Sequence, residues 1–324
     1  MARPPFPWVG NKEKLVPYLQ QMIPPHIKQY TEVFGGSGAM ILALKPRKGR
    51  LDIYNDLNND LFNVFCCIKE KTLALSKELK FLPVQGRIPF DFYLNILDHK
   101  ADFYQNIDSE IALLQDRTYF TEEQVQALLP ILEGRAKLFD VYRATAFLLV
   151  MYGSYSGTGS SFGVKTIDVD AIVNRLPEVA QRLQSIVLEN QSAFDLIVKR
   201  DRPDGLIYAD PPYVTTEKYY NVFFPPEKHA LLRDLLRNCK GYVILSYNHC
   251  PLVWDLYQKE FFIFSLKRNN PLAQAKDSSF GELILTNFDP RPFMNTQIDL
   301  FSPSPETKWE LVLLNTPDTI LKTN

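Results

Sequence analysis

Leu206-Ile207-Tyr208-Ala209-Asp210-Pro211-Pro212-Tyr213 is the stretch from which the rest of the chain is read. An apolar, strand-forming run ends in a carboxylate, and two prolines then stop the ladder, because proline has no N–H to donate and fixes its own φ. Asp210 is thereby predicted at the carboxyl end of a buried strand, the place where ligands bind in open α/β sheets. The stiff backbone that follows holds the Asp210 carboxylate, the Pro211 carbonyl and the Tyr213 ring in nearly fixed relative positions. Two acceptors and one aromatic plate suit a flat base carrying an exocyclic amino group, whose two N–H donors and π-face they match. The plain alternative is a strand end followed by a proline turn.

Outward from this stretch the pattern is α/β. Upstream, Tyr30-Thr31-Glu32-Val33-Phe34 reads as a strand, Gly35-Gly36-Ser37-Gly38 as a tight turn, and Ala39 to Leu44 as a helix closed by Pro46. Strand, glycine turn and helix start in that order let a cofactor approach bare backbone. The next strand, Leu51 to Asn55, runs into Asp56, an acid placed to take both hydroxyls of a ribose. Together these signals point to an adenosine-bearing cofactor. The alternative is a plain turn at Gly36 and Gly38, with Asp56 as an N-cap of the helix opening at Leu57. Ile41 occupies the place of the third glycine in G-x-G-x-x-G, which disfavours a dinucleotide.

From about Leu61 to Val150 the periodicity is helical, and Tyr152 to Gly163 is a loop of small and aromatic residues. So long a helical interruption reads as an inserted subdomain. Beyond it the strands resume, at Ser185 to Leu188, at Tyr242 to Tyr247, and as an antiparallel pair at Phe261–Phe264 and Leu283–Thr286. The expected organisation is a discontinuous domain, 1–60 with 164–292, an insert at 61–163 and a tail at 293–324 whose one candidate element is Trp309 to Leu313.

Composition limits the class. With 324 residues and 46% hydrophobic content the chain is an ordinary globular protein. Its four cysteines include the adjacent Cys66 and Cys67 and no C-x-x-C, so neither a disulfide framework nor a zinc site is expected. The N-terminus lacks the apolar core of a signal peptide and no apolar run is long enough to span a bilayer, so the expectation is a cytoplasmic protein without a membrane partner. A net charge of −1 rules out a wholly basic nucleic-acid binder but not a locally basic cleft. No metal-ligand cluster is apparent, the histidines being scattered.

Taken together, these stretches resemble the adenine-N6 DNA methyltransferases of the Dam-type, alpha-ordered D12 class. Asp210-Pro211-Pro212-Tyr213 is similar to the family's catalytic signature, Phe34-x-Gly36-x-Gly38 to its cofactor loop and Phe6-x-Trp8-x-Gly10-x-Lys12 to its N-terminal cofactor motif. The resemblance implies a Rossmann-like methyltransferase sheet with an inserted, mainly helical target-recognition subdomain. It further implies S-adenosyl-L-methionine as cofactor, double-stranded DNA as partner and a monomer in solution. Trp8, Gly10, Lys12, Glu32, Phe34, Gly36, Gly38, Asp56, Phe194 and Asp210 are then the expected cofactor-binding positions, and Asp210 to Tyr213 the catalytic ones. Arg143, Tyr155 and Lys165 are expected at the DNA. The sequence departs from the family pattern at Asn11, where a second glycine is usual, and at Ala193, where many relatives carry an acid. Two rivals stand beside this reading: cytosine-N4 methylation, for which relatives usually carry Ser in place of Asp, and a DNA-binding regulator of the same fold without turnover.

Overall fold

Among the described residues, strands form where β-branched and aromatic residues cluster: β1 (Gln29–Glu32), β2 (Leu51–Asn55), β3 (Ile186–Glu189), β4 (Gly205–Ala209), β5 (Tyr242–Asn248), β6 (Phe262–Arg268), β7 (Glu282–Thr286) and β8 (Trp309–Asn315). The computed structural model describes residues 2–99, 109, 111–116, 120–137, 140–164, 166–214, 224–268, 282–294 and 309–318. The chain divides into two compact units. The first comprises Met1–Asn11, Gly36–Lys45 and Asp56–Asn190, the second Lys12–Gly35, Pro46–Asn55 and Gln191–Asn324.

The second unit carries the strands in the order β2-β1-β4-β5-β7-β6-β8. β1 lies parallel to β2 and β4, and β4 parallel to β5, so these strands all end on one side of the sheet. That side collects Asn55, Phe34, Asp210 and Asn248, the residues in or just beyond the strand ends. β7 is antiparallel to β5 and therefore begins there, with Glu282 opposite Asn248. The antiparallel pair read at the sequence level is β6 with β7. β8, the candidate element of the tail, adds to β6 as an antiparallel edge strand.

Every residue of β4 is buried, as an unbroken apolar strand must be when both sheet faces are covered. Its Ile207 and Ala209 share a core with Val243 and Leu245 of β5, Leu283 and Leu285 of β7, and Leu196, Leu232 and Leu236 of the covering helices Ala193–Arg200 and Pro226–Arg237. Burial of this kind, at roughly 25 cal/mol for each Å² of apolar surface, fixes the strand end on which Asp210 sits.

The first unit is mainly helical. Asn59–Glu70 is capped by Asn58, whose side chain accepts from the backbone N–H groups of Asp60 and Leu61, so Asn58 and not Asp56 fills the capping position. Val141–Gly153 starts at Asp140, which accepts from Arg143 N at 2.9 Å, and packs on Asn59–Glu70. Val169–Leu183 starts in the same way at Asp168, through Ala171 N at 2.9 Å. No helix among the described residues is long and apolar enough to cross a membrane.

Candidate active site

In the second unit the end of β4 delivers Asp210 into a small charged cluster. Its Oδ2 lies 2.9 Å from the Lys12 ammonium, and the two side chains are only 17% and 7% exposed. Its Oδ1 is buried and accepts no hydrogen bond from any described residue. An unsatisfied buried acceptor is rare and calls for a reason, such as a partner that arrives with a ligand. Burial pushes the Asp210 carboxyl up to about 6, against the pull of Lys12 and the nearby Tyr213 hydroxyl and with the push of Glu282.

Tyr213 is held on several sides. Its hydroxyl donates to Glu282 Oε2 at 3.1 Å, its ring stacks with Tyr247 at 5.8 Å between centroids, and the Lys12 ammonium stands 4.6 Å from its ring centre. Tyr247 is braced in turn by a short hydrogen bond with His229. Burial, with the Asp210 and Glu282 charges beside it, holds the Tyr213 phenol well above its ordinary pKa, so the ring stays a neutral plate. Tyr208 on β4 bonds Ser246 on β5 at 2.9 Å, which ties β4 to its neighbour.

Elsewhere in this unit, Glu32 is buried and accepts from the Tyr30 hydroxyl at 3.4 Å. Phe34 and Phe194 both pack on Phe224, edge-on and stacked respectively, each at 6.0 Å. Asn55, fully buried, donates to Val33 O at 2.9 Å and Gln191 O at 3.0 Å, which fixes the loop ends that carry Phe34 and Phe194.

The first unit holds the glycine turn. Trp8 to Asn11 is a β-turn closed by Asn11 N to Trp8 O at 3.2 Å, and Gly10 occupies its third position at φ 74°, where a side chain is disfavoured. Gly36 has φ +49°, and a Cβ there would stand 2.9 Å from Trp8 Nε1, so the indole lies against bare backbone. Gly38 precedes the short helix Ala39–Ala43. The Asp56 carboxylate accepts from Gly36 N through Oδ2 and from Asn58 N through Oδ1, both at 2.8 Å. Burial raises its pKa above the ordinary value while these two N–H groups lower it.

The expected DNA-facing residues are placed very differently. Arg143 is 3% exposed, with its guanidinium 3.0 Å from Asp60 and 2.8 Å from Asn59 Oδ1. It therefore locks helix Val141–Gly153 to Asn59–Glu70 and does not face solvent, a correction to the expectation of a DNA contact. Tyr155, by contrast, is 70% exposed in its loop. Lys165 lies outside the described residues. Sequence reasoning missed Glu282, whose only signal is that an acid opens a strand antiparallel to β5. Lys12, expected among the cofactor positions, has its ammonium against the carboxylate of Asp210, another of those expected positions.

One solved structure that the chain resembles is protein LPL1258 from Legionella pneumophila str. Philadelphia 1, at 13% identity over 95% of each chain and a TM-score of 0.30. A likeness that low carries no argument. The family comparison is decisive: the model for D12 class N6 adenine-specific DNA methyltransferases matches residues 8–270, from the Trp8 turn through the Asp210 cluster to the end of β6. The chain belongs to the D12 class N6 adenine-specific DNA methyltransferase family.

Proposed function

We propose that the chain methylates N6 of an adenine turned out of double-stranded DNA, with S-adenosyl-L-methionine as methyl donor and the Asp210 cluster as the seat of the base. The observation that carries this is the buried, unpartnered Asp210 Oδ1 beside the fixed Tyr213 plate. A base inside a duplex hides its amino group, so turning it out, at a cost of a few kcal/mol, precedes chemistry. Tyr213 offers the π-face that takes over its stacking. Asp210 Oδ1 and the Pro211 carbonyl accept the two N6 hydrogens, which draws the nitrogen lone pair out of conjugation and aims it. An ionised Asp210 also stabilises the positive charge that grows on nitrogen, and with its pKa near 6 it can receive the proton that N6 finally sheds.

The donor fits the residues of the first unit by their chemistry. Each Asp56 oxygen is oriented by a backbone N–H and retains a lone pair for a hydroxyl, as a ribose diol requires. Gly36 and Gly38 present backbone without side chains, Gly10 turns the chain, and Trp8 supplies an aromatic wall over Gly36. When bound, S-adenosylmethionine supplies a methyl group activated by its sulfonium. We assign sequence choice to the segment 61–163, with the exposed Tyr155 as a DNA contact, and read the sheet as a Rossmann-like methyltransferase core.

The test is to incubate the protein with mixed DNA and methyl-labelled donor, digest to nucleosides and identify the labelled product. Label in N6-methyladenine is expected. Label only in N4-methylcytosine, or none with folded protein, overturns the reading.

A further inference from the structure

We propose that Lys12 is a gate on the base pocket: in the DNA-free protein its ammonium, held by Asp210 Oδ2, covers the face of Tyr213 on which the target base stacks, and it leaves that face when the base enters. This rests on the assignment of Asp210 and Tyr213 to the flipped base. The geometry is specific. The Lys12 ammonium touches both groups that the base needs, Asp210 Oδ2 at 2.9 Å and the Tyr213 ring at 4.6 Å from its centre. Both an ammonium and an aromatic amine offer N–H donors to a carboxylate, and both are attracted to the same ring face, one through cation–π attraction and the other through stacking. Tyr247 already stacks on the ring, so an incoming base competes with Lys12 for what is left of it.

The charges around the pair explain why a placeholder is needed. Asp210 faces Lys12 from the N-terminal segment, Glu282 from β7, the Tyr213 hydroxyl from its own loop and the Tyr208 hydroxyl within β4. Without the ammonium only the Tyr213 hydroxyl would offset burial and the Glu282 charge, and the carboxylate would protonate more readily. A protonated Asp210 is no longer a pure acceptor. Lys12 thus keeps the free enzyme in the form that receives the base, and the base amino group then takes over as donor. This makes Lys12 a positioning residue of the DNA-free state rather than a cofactor ligand.

The pH dependence of steady-state methylation distinguishes the possibilities, because kcat/KM for DNA reports ionisation in the free enzyme and kcat reports it in the complex. The experiment uses the full chain, saturating donor, plasmid DNA, and the variants Lys12→Gln, Lys12→Arg and Asp210→Asn, with folding checked by thermal melts. In Lys12→Gln the acid limb of kcat/KM should move up by roughly 1 pH unit or more, as loss of an adjacent opposite charge does. The acid limb of kcat should stay where it is in the wild type, since Lys12 has already left that complex. Lys12→Arg should restore the kcat/KM limb. If both limbs move together, Lys12 stays in the complex and the gate is wrong. If neither moves and KM for the donor rises instead, Lys12 is a cofactor residue and the proposal fails. Asp210→Asn serves as the separate control: methylation surviving in that variant would undo the site assignment itself, whatever Lys12 does.

Discussion

Replacing Asp210 by asparagine should inactivate the enzyme and, above neutral pH, make it more stable. The amide copies the shape and neutral charge of the protonated acid. Burial displaces the wild-type carboxyl from an ordinary 3.8 to about 6, and at ~1.4 kcal/mol for each pH unit the ionised form destabilises the fold by about 3 kcal/mol. The folded pKa is raised, so the wild type has its full share of stability below the unfolded pKa and loses it as pH rises through about 6. The amide does not titrate and keeps that share throughout. At pH ~4 both proteins place a neutral side chain beside the Lys12 ammonium, so their stabilities should nearly coincide, and by pH ~8 the variant should lead by about 2–3 kcal/mol. Urea unfolding of both proteins without ligands, at intervals across that range, measures the difference and cancels all other titrating groups. A difference that is flat in pH, or that grows in favour of the wild type, refutes the claim that Asp210 is held ionised against its surroundings.

Asp56→Asn keeps the shape of the carboxylate but removes its charge and one acceptor; by calorimetry the donor should bind about 1.5–3 kcal/mol more weakly, with kcat at saturation little changed. Equal affinity in the two proteins would remove Asp56 from the cofactor site. Gly36→Ala must adopt φ near +49° and push on Trp8 Nε1, so a loss of about 1–2 kcal/mol from the backbone alone is expected, and more from the clash. Adding Trp8→Ala should return the clash portion only; strictly additive thermal denaturation data would show that the indole does not press on the turn. Arg143→Met leaves Asp60 without its buried partner and should destabilise by about 3–5 kcal/mol. DNA affinity per folded molecule should not change, and a selective loss of DNA binding in a fully stable variant would restore the original expectation for this residue.

What could be read from the sequence was what local chemistry dictates. An apolar run closed by Asp210-Pro211-Pro212 has to be a strand end, and β4 stops at Ala209. Positive φ at Gly36 and Gly38 follows from a turn made only of glycine and serine. The side-chain partners were not legible, because they depend on register. Glu282 reaches Tyr213 only because β7 runs antiparallel to β5 and starts where β4 ends. Lys12 meets Asp210 from nearly two hundred positions away in the chain, and no spacing rule links them. Arg143 shows the same limit from the other side. An arginine in an aromatic-rich helical segment looks like a phosphate contact, since arginines are mostly exposed, yet Asp140 caps the helix and Asp60 lies across from it, so the guanidinium turns inward. A buried charge is stable only when paired, and Lys12 and Arg143 are each paired through groups that tertiary structure alone brings near. The same logic gives Asp210 its function. Among the described residues it has one oxygen paired and one left over, and a carboxylate supplied with half its partners is one that a ligand with an amino group completes.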